Sequence, residues 1–314
     1  MKNLSYLLPL FFLISSCSDN SDENVFEELM QSEWQRGIDE NPLYASSMGN
    51  LDKNDQWPEY SVEKIKTNYE HDLKILTQLN QLNSDAFSDD NLLNLQLFKD
   101  QYINSTELYQ FKNFLMPFSH RGGIQLQHES AETLPLRSVK HYEDWLSRLS
   151  KIDNYIDSHI NVAEAGMANN IMPPRILMQR VLDQIKSQAF STAKDSPFNK
   201  AFIEMPSSIN IEDKQRIQNE ATEIIQKTVI PAYIKLYNFF NSEYLPMCRD
   251  SIGINKIPNG AKYYEALTKK FTTTQLHPDE VHQIGLDEVA RIKTKMLEIV
   301  EEVKWDGSFR EFLE

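Results

Sequence analysis

Apolar side chains in this chain recur at steps of three and four residues. That spacing gathers them on one face of an α-helix and would scatter them over both faces of a strand. Val139, Tyr142, Leu146, Leu149, Ile152, Ile156 and Ile160 form one such series, and the spacing predicts one helix through all of them. Val281, Gly285, Val289, Ile292, Met296, Ile299 and Val303 form another, opened by Pro278 at the first helical position with Asp279 and Glu280 in the first turn. A third helix starts at Pro173-Pro174 and runs through Ile176, Leu177, Val181, Leu182 and Ile185. A fourth, from about Ile211 to Tyr244, carries Ala221, Ile225, Thr228, Ala232, Leu236 and Phe239, with a kink expected at Pro231. Further helices fit residues 24–37, 61–82, 90–112 and 260–270, and Ser308 to Glu314 read as the start of one more. No segment alternates apolar and polar residues, and no Gly/Ser linker or internal repeat divides the chain. Only 9 of 314 residues are glycine, too few for the turns of a β-sandwich. The expectation is an all-α, multi-helix single domain, with loops at 42–60, 116–135, 188–210 and 251–260.

The first residues carry an address rather than a fold. Lys2 precedes an apolar run from Leu4 to Ile14, about the length of a secretory signal, too short to span a bilayer and interrupted by Pro9. Ile14-Ser15-Ser16-Cys17 follows, an aliphatic residue, two small residues and a cysteine, which resembles the lipobox of bacterial lipoproteins. On that resemblance residues 1–16 are a signal peptide, Cys17 carries lipid, 17–24 is an acidic tether and 25–314 is the helical domain. Ser18 after the lipidated position favours the outer membrane by resemblance to Gram-negative sorting. Cys248 is then the only other cysteine, without a disulfide partner, and is expected as a small buried hydrophobe. Processing would remove one charge, Lys2, leaving 31 basic against 46 acidic residues. A chain this acidic repels phosphate backbones, so nucleic acid is not an expected partner. The membrane, through the lipid, is one, and peptides are another.

Residues that could do chemistry are sparse. A zinc-peptidase helix needs His-Glu-x-x-His, because imidazoles four residues apart share a face and the Glu activates metal-bound water. The nearest string, His128-Glu129-Ser-Ala-Glu132, has Glu in the second ligand position and reads as a polar loop. His277, Glu280 and His282 cluster in sequence, but His277 precedes a helix and is expected to serve its cap. His120-Arg121-Gly122-Gly123 reads as a tight turn, and Ser61 as a helix N-cap. The Ser-x-x-Lys strings at Ser61 and Ser191 lack companion motifs, and no nucleophile elbow or phosphate-binding loop is present. No catalytic or metal-ligating residue is expected in this chain.

Several stretches taken together resemble a known family, the bacterial proteins grouped as domain of unknown function 885. They are Asn41-Pro-Leu-Tyr-Ala-Ser46, Tyr142-Glu-Asp-Trp-Leu-Ser-Arg-Leu149, Gly166 with Pro173-Pro-Arg175, Val229-Ile-Pro-Ala-Tyr233 and Glu243-Tyr-Leu-Pro246. The strongest runs from Pro258-Asn-Gly260 through Tyr263-Tyr264 and Thr272-Thr-Thr274 to Glu280-Val-His-Gln-Ile-Gly-Leu-Asp-Glu-Val289. The resemblance implies a secreted or lipid-anchored helical protein of the zinc-peptidase-like type, in which longer members carry His-Glu-x-x-His and a further Glu in a C-terminal half. No such helix occurs in these residues, so no family ligand carries over. The implication is the N-terminal portion of a larger fold, inactive by itself, with zinc belonging to a full-length protein. Tyr263, Tyr264, Thr272, Thr273 and His282 are the residues that the resemblance would place along a cleft. His277 stands where family members often place a Thr cap. The alternative is a non-catalytic helical binding or scaffold lipoprotein of the bacterial envelope.

Overall fold

The computed structural model describes residues 21–314. The expected signal segment 1–16, the expected lipid-bearing Cys17 and residues 18–20 lie outside the described residues. Helix α1 (Asp22–Glu40) begins earlier than expected, because the Ser21 hydroxyl accepts from the Asn24 amide (3.3 Å) and the acidic Asp22 and Glu23 suit the positive end of the helix. The last three residues of the expected tether 17–24 are therefore its first turn. α2 (Pro42–Ser47) is a short helix within the expected loop 42–60, started by Pro42 and capped by Asn41, whose side chain accepts from Tyr44. α3 (Val62–Gln81) and α4 (Asp89–Tyr109) are capped by Ser61 and Ser88 in the same manner. α1, α3 and α4 close over Phe26, Ile75, Leu79, Leu95 and Tyr102.

The series Val139 to Ile160 is two helices, not one: α5 (Val139–Leu149) and α6 (Ile152–Ala168). The cause is the Arg148 carbonyl, which would have accepted from residue 152. Instead it accepts from the Trp57 indole (2.6 Å) and from the Lys151 amide (3.1 Å), tightening the chain into a turn. The apolar face survives the break, because Trp145, Leu146, Leu149, Ile152 and Ile156 are all buried. α7 (Arg175–Ala189) packs against the longest helical run, α8. That run comprises Ile211–Ile224, a π turn Ile225–Val229, Ile230–Phe239, a second π turn Phe240–Tyr244, and Leu245–Met247.

Each π turn of α8 runs up to a proline. Pro231 and Pro246 have no amide hydrogen, and their rings crowd the carbonyl four residues back. Widening the preceding turn, with Ile230 N–H donating to the Ile225 carbonyl and Leu245 N–H to that of Phe240, makes room without ending the helix. The expected kink at Pro231 thus takes the form of a π turn. α5, α6, α7 and α8 enclose the main core around Trp145, Ile156, Val181, Tyr233 and Phe240. Each such large side chain taken fully from water contributes roughly 1.5–3 kcal/mol before the entropy of ordering is counted.

α9 (Gly260–Thr272) covers the end of α4 through Phe111, Ile257 and Tyr263. α10 (Pro278–Glu302) and α11 (Phe309–Leu313) complete the chain. Among the described residues there is no strand; the extended contacts are two isolated bridges, Ser119 with Gly122 and Pro174 with Arg249. The expected loops 116–135 and 188–210 hold short helical turns, Ile124–Glu129, Ser130–Thr133 and Lys200–Ile203. The first pair stops at Leu134, which the following Pro135 forces into an extended conformation. No helix among the described residues is long and apolar enough to cross a membrane. The fold is all-α.

Candidate functional site

One face of α3, formed by Ile65, Asn68, Tyr69 and Asp72, looks across a groove of about 480 Å3 toward α9. Ser105, Leu108 and Tyr109 of α4, then Asn113 and Phe114, form its floor, and Tyr263, Leu267, Lys270 and Phe271 of α9 form the far wall. The floor is an aromatic stack. Tyr69 and Tyr109 lie nearly parallel with ring centroids 3.8 Å apart, and Phe114 continues the stack 5.2 Å from Tyr109. Tyr263 is held by Phe111, its ring centroid 5.2 Å away, and burial pushes its phenol above the ordinary value.

Behind the groove lies a network that fixes Asp72. Glu33 is nearly buried, and desolvation would raise its carboxyl; hydrogen bonds from Tyr102, His71 and Arg36 outweigh that and hold it below the usual value. The contacts are 2.8 Å to the Tyr102 hydroxyl, 2.8 Å to His71 Nε2 and 3.0 Å to Arg36 Nε. Arg36 also bonds Glu40 (3.0 Å) and lies 3.7 Å from Asp72. The Ser105 hydroxyl donates to Asp72, yet burial still leaves the Asp72 carboxyl above its ordinary value.

Of the five residues expected along a cleft, Tyr263 lines this groove. Tyr264 is exposed. Thr272 is spent on the turn after α9, its hydroxyl donating to the Thr268 carbonyl (2.8 Å) and accepting from the Thr274 hydroxyl (2.8 Å). Thr273 closes α9 in the left-handed conformation (φ 54°), its amide donating to Lys269. His282 is exposed on α10. Sequence reasoning missed Asp72, Ser105 and Lys270. The spacing of Ile65, Asn68, Tyr69 and Asp72 was a readable signal, because it puts four dissimilar residues on one face of an expected helix.

The string at His128 falls in a second cavity, of about 520 Å3, with Glu129, Glu132, Lys200 and Glu204. The imidazole is lowered from its ordinary value by burial, and its Nδ1 lies 3.0 Å from the Gln188 amide nitrogen. Glu132 is paired with Lys200 at 2.9 Å. Among the described residues no three His, Cys, Asp or Glu side chains are grouped so as to hold a metal ion, so the donor set for zinc is not assembled here. His277 caps α10: its Nδ1 accepts from Asp279 (3.3 Å), while Glu280 accepts from the His277 amide (2.7 Å). Ser119 to Gly122 is the expected tight turn, with Gly123 at φ 132° beside it. Cys248 is buried, and desolvation pushes its thiol up to about 12, an inert group.

The Pro-Pro-Arg stretch has a structural task. Arg175 donates to the carbonyls of Leu245 (2.7 Å), Pro246 (3.2 Å) and Cys248 (2.7 Å) and to Asp250 (2.8 Å), satisfying the acceptors left free where α8 ends. Arg249 answers from the other side, donating to the Met172 carbonyl (3.0 Å) and to that of Gly253 (2.8 Å).

Comparison with known proteins bears on this architecture. The crystal structure of the putative lipoprotein from Colwellia psychrerythraea is similar over 93% of this chain, with a TM-score of 0.79 and 24% identity, which establishes the shared fold. The matched part is 53% of that protein, so the present chain spans about half its length. No curated protein sequence matches the chain. Residues 42–314 match the family described as bacterial protein of unknown function (DUF885), and the chain belongs to that family.

Proposed function

We propose that this chain is the N-terminal, non-catalytic part of a lipid-anchored, zinc-peptidase-like protein of the bacterial envelope. α10 carries the reading. It is 25 residues long with no buried residue, and its apolar series is open to solvent: Val289 is 66% exposed, Ile292 47% and Ile299 50%. An amphipathic helix keeps such a stripe when another element covers it, and uncovered stripes of this length mark interaction surfaces. Gly285 sits within the series with nothing within 4 Å of where a Cβ would lie. A glycine inside a helix is unfavourable by about 1 kcal/mol relative to alanine, and close approach of a second backbone gives it a use. That this chain covers only 53% of the Colwellia protein supports the same reading. Ile14 to Cys17 supports the lipid anchor, with the outer membrane as its destination.

The experiment has three arms. Metabolic labelling with radioactive palmitate should mark the protein, and Cys17→Ala should abolish the label. The purified chain should contain no stoichiometric zinc and hydrolyse no peptide, and zinc recovered at one per chain would overturn the reading. DNA following the codon for Glu314 should encode His-Glu-x-x-His, in frame or past a stop; its absence there would favour the helical binding or scaffold lipoprotein. The groove of α3, α4 and α9 speaks for that second reading, being complete within these residues.

A further inference from the structure

We propose that the groove between α3, α4 and α9 binds a zwitterionic ligand with a large apolar side chain, of the class of a free aromatic amino acid. Its volume of about 480 Å3 is within the range of small-ligand sites. Two opposite charges line it, and each has unused capacity. One Asp72 oxygen takes the Ser105 hydroxyl, while the other has its nearest cation, Arg36, at 3.7 Å, longer than a hydrogen bond. Lys270 is exposed and pairs with no carboxylate among the described residues; its ammonium lies 5.8 Å from the centre of the Phe271 ring.

A simple cation entering this groove would meet the Lys270 ammonium, and a simple anion would meet Asp72. An α-amino acid carries both charges, and in the proposed pose its ammonium meets Asp72 while its carboxylate is met by the flexible Lys270 side chain. The Tyr69–Tyr109–Phe114 stack and Leu267 then offer apolar surface to the side chain. This inference does not depend on whether a second half of the protein exists.

The test is calorimetric titration of the purified chain with phenylalanine, N-acetylphenylalanine and phenylalanine amide. Phenylalanine should bind saturably, and each blocked analogue about tenfold more weakly, the loss of one charge-assisted contact. In Lys270→Met, an exposed position whose replacement leaves the core untouched, phenylalanine and its amide should become equal while the N-acetyl form stays weaker. Asp72→Asn should do the converse. Absence of saturable phenylalanine binding, equal binding of all three ligands to the wild type, or undiminished discrimination against the amide by Lys270→Met would each overturn the proposal.

Discussion

Gly166 shows what a single residue can decide. A Cβ at this position in α6 would lie 2.3 Å from the Leu115 carbonyl oxygen and 3.2 Å from that of Ile171, both backbone atoms that cannot swing aside. Gly260 has the same constraint, 2.2 Å from the Ile254 carbonyl. Gly166→Ala should therefore destabilise the protein by about 2–4 kcal/mol, read from the urea midpoint at unchanged slope. Gly285→Ala, in open space, should instead raise the helix content of α10 measured by circular dichroism. His159 is the residue that sets an acid limit. It is buried, stacked on Tyr60 with ring centroids 4.3 Å apart, and desolvation pulls its pKa down to about 4, against a hydrogen bond to the Tyr155 carbonyl (2.8 Å) that opposes the shift. Between the ordinary value of about 6.5 and that lowered one, the unfolded chain binds a proton that the folded chain refuses. Stability should rise with pH across that window, by at most about 3 kcal/mol, and His159→Phe should flatten the profile.

At the scale of elements, α8 depends on how its irregularities are satisfied. Its two π turns give Pro231 and Pro246 room, and its last carbonyls are gathered by Arg175. Lysine in place of Arg175 has one nitrogen and cannot reach all three carbonyls and Asp250 together. Arg175→Lys should lower stability by about 1–3 kcal/mol, with exchange of the amides near the end of α8 accelerated most. α5 shows a different dependence. Arg148, fully buried, extends from it to Ser46 (3.2 Å) and the Lys53 carbonyl (3.4 Å) beneath the Trp57 ring. Burial lowers its pKa to about 10, with Asp55 and Asp144 opposing the shift, so it stays charged at neutral pH. The stretch Tyr142 to Leu149 thus ties the segment after α2 to the core.

Across the whole molecule, burial is uneven. The core of α5 to α8 is sealed, whereas α10 presents Ile284, Leu286, Val289 and Ile299 to solvent and is anchored mainly through α9 and α11. Hydrogen exchange should accordingly find α10 exchanging orders of magnitude faster than α7 and the middle of α8, and slow exchange throughout α10 in a monomer would contradict the uncovered stripe. Helix positions were legible because three- and four-residue periodicity is a local property: α3, α4, α7, α9 and α10 lie within a few residues of expectation. The break between α5 and α6 was not legible, since it is made by Trp57, some ninety residues earlier. Neither was the groove, whose carboxylate and ammonium come from helices separated by most of the chain. By itself the sequence determined the helical class, the caps at Ser61 and His277 and the acidic charge, all consequences of composition and short-range spacing. Which helices meet, where the glycines must be bare and which charges face one another were decided only by tertiary packing, because side chains far apart in sequence compete there for the same space and the same hydrogen bonds.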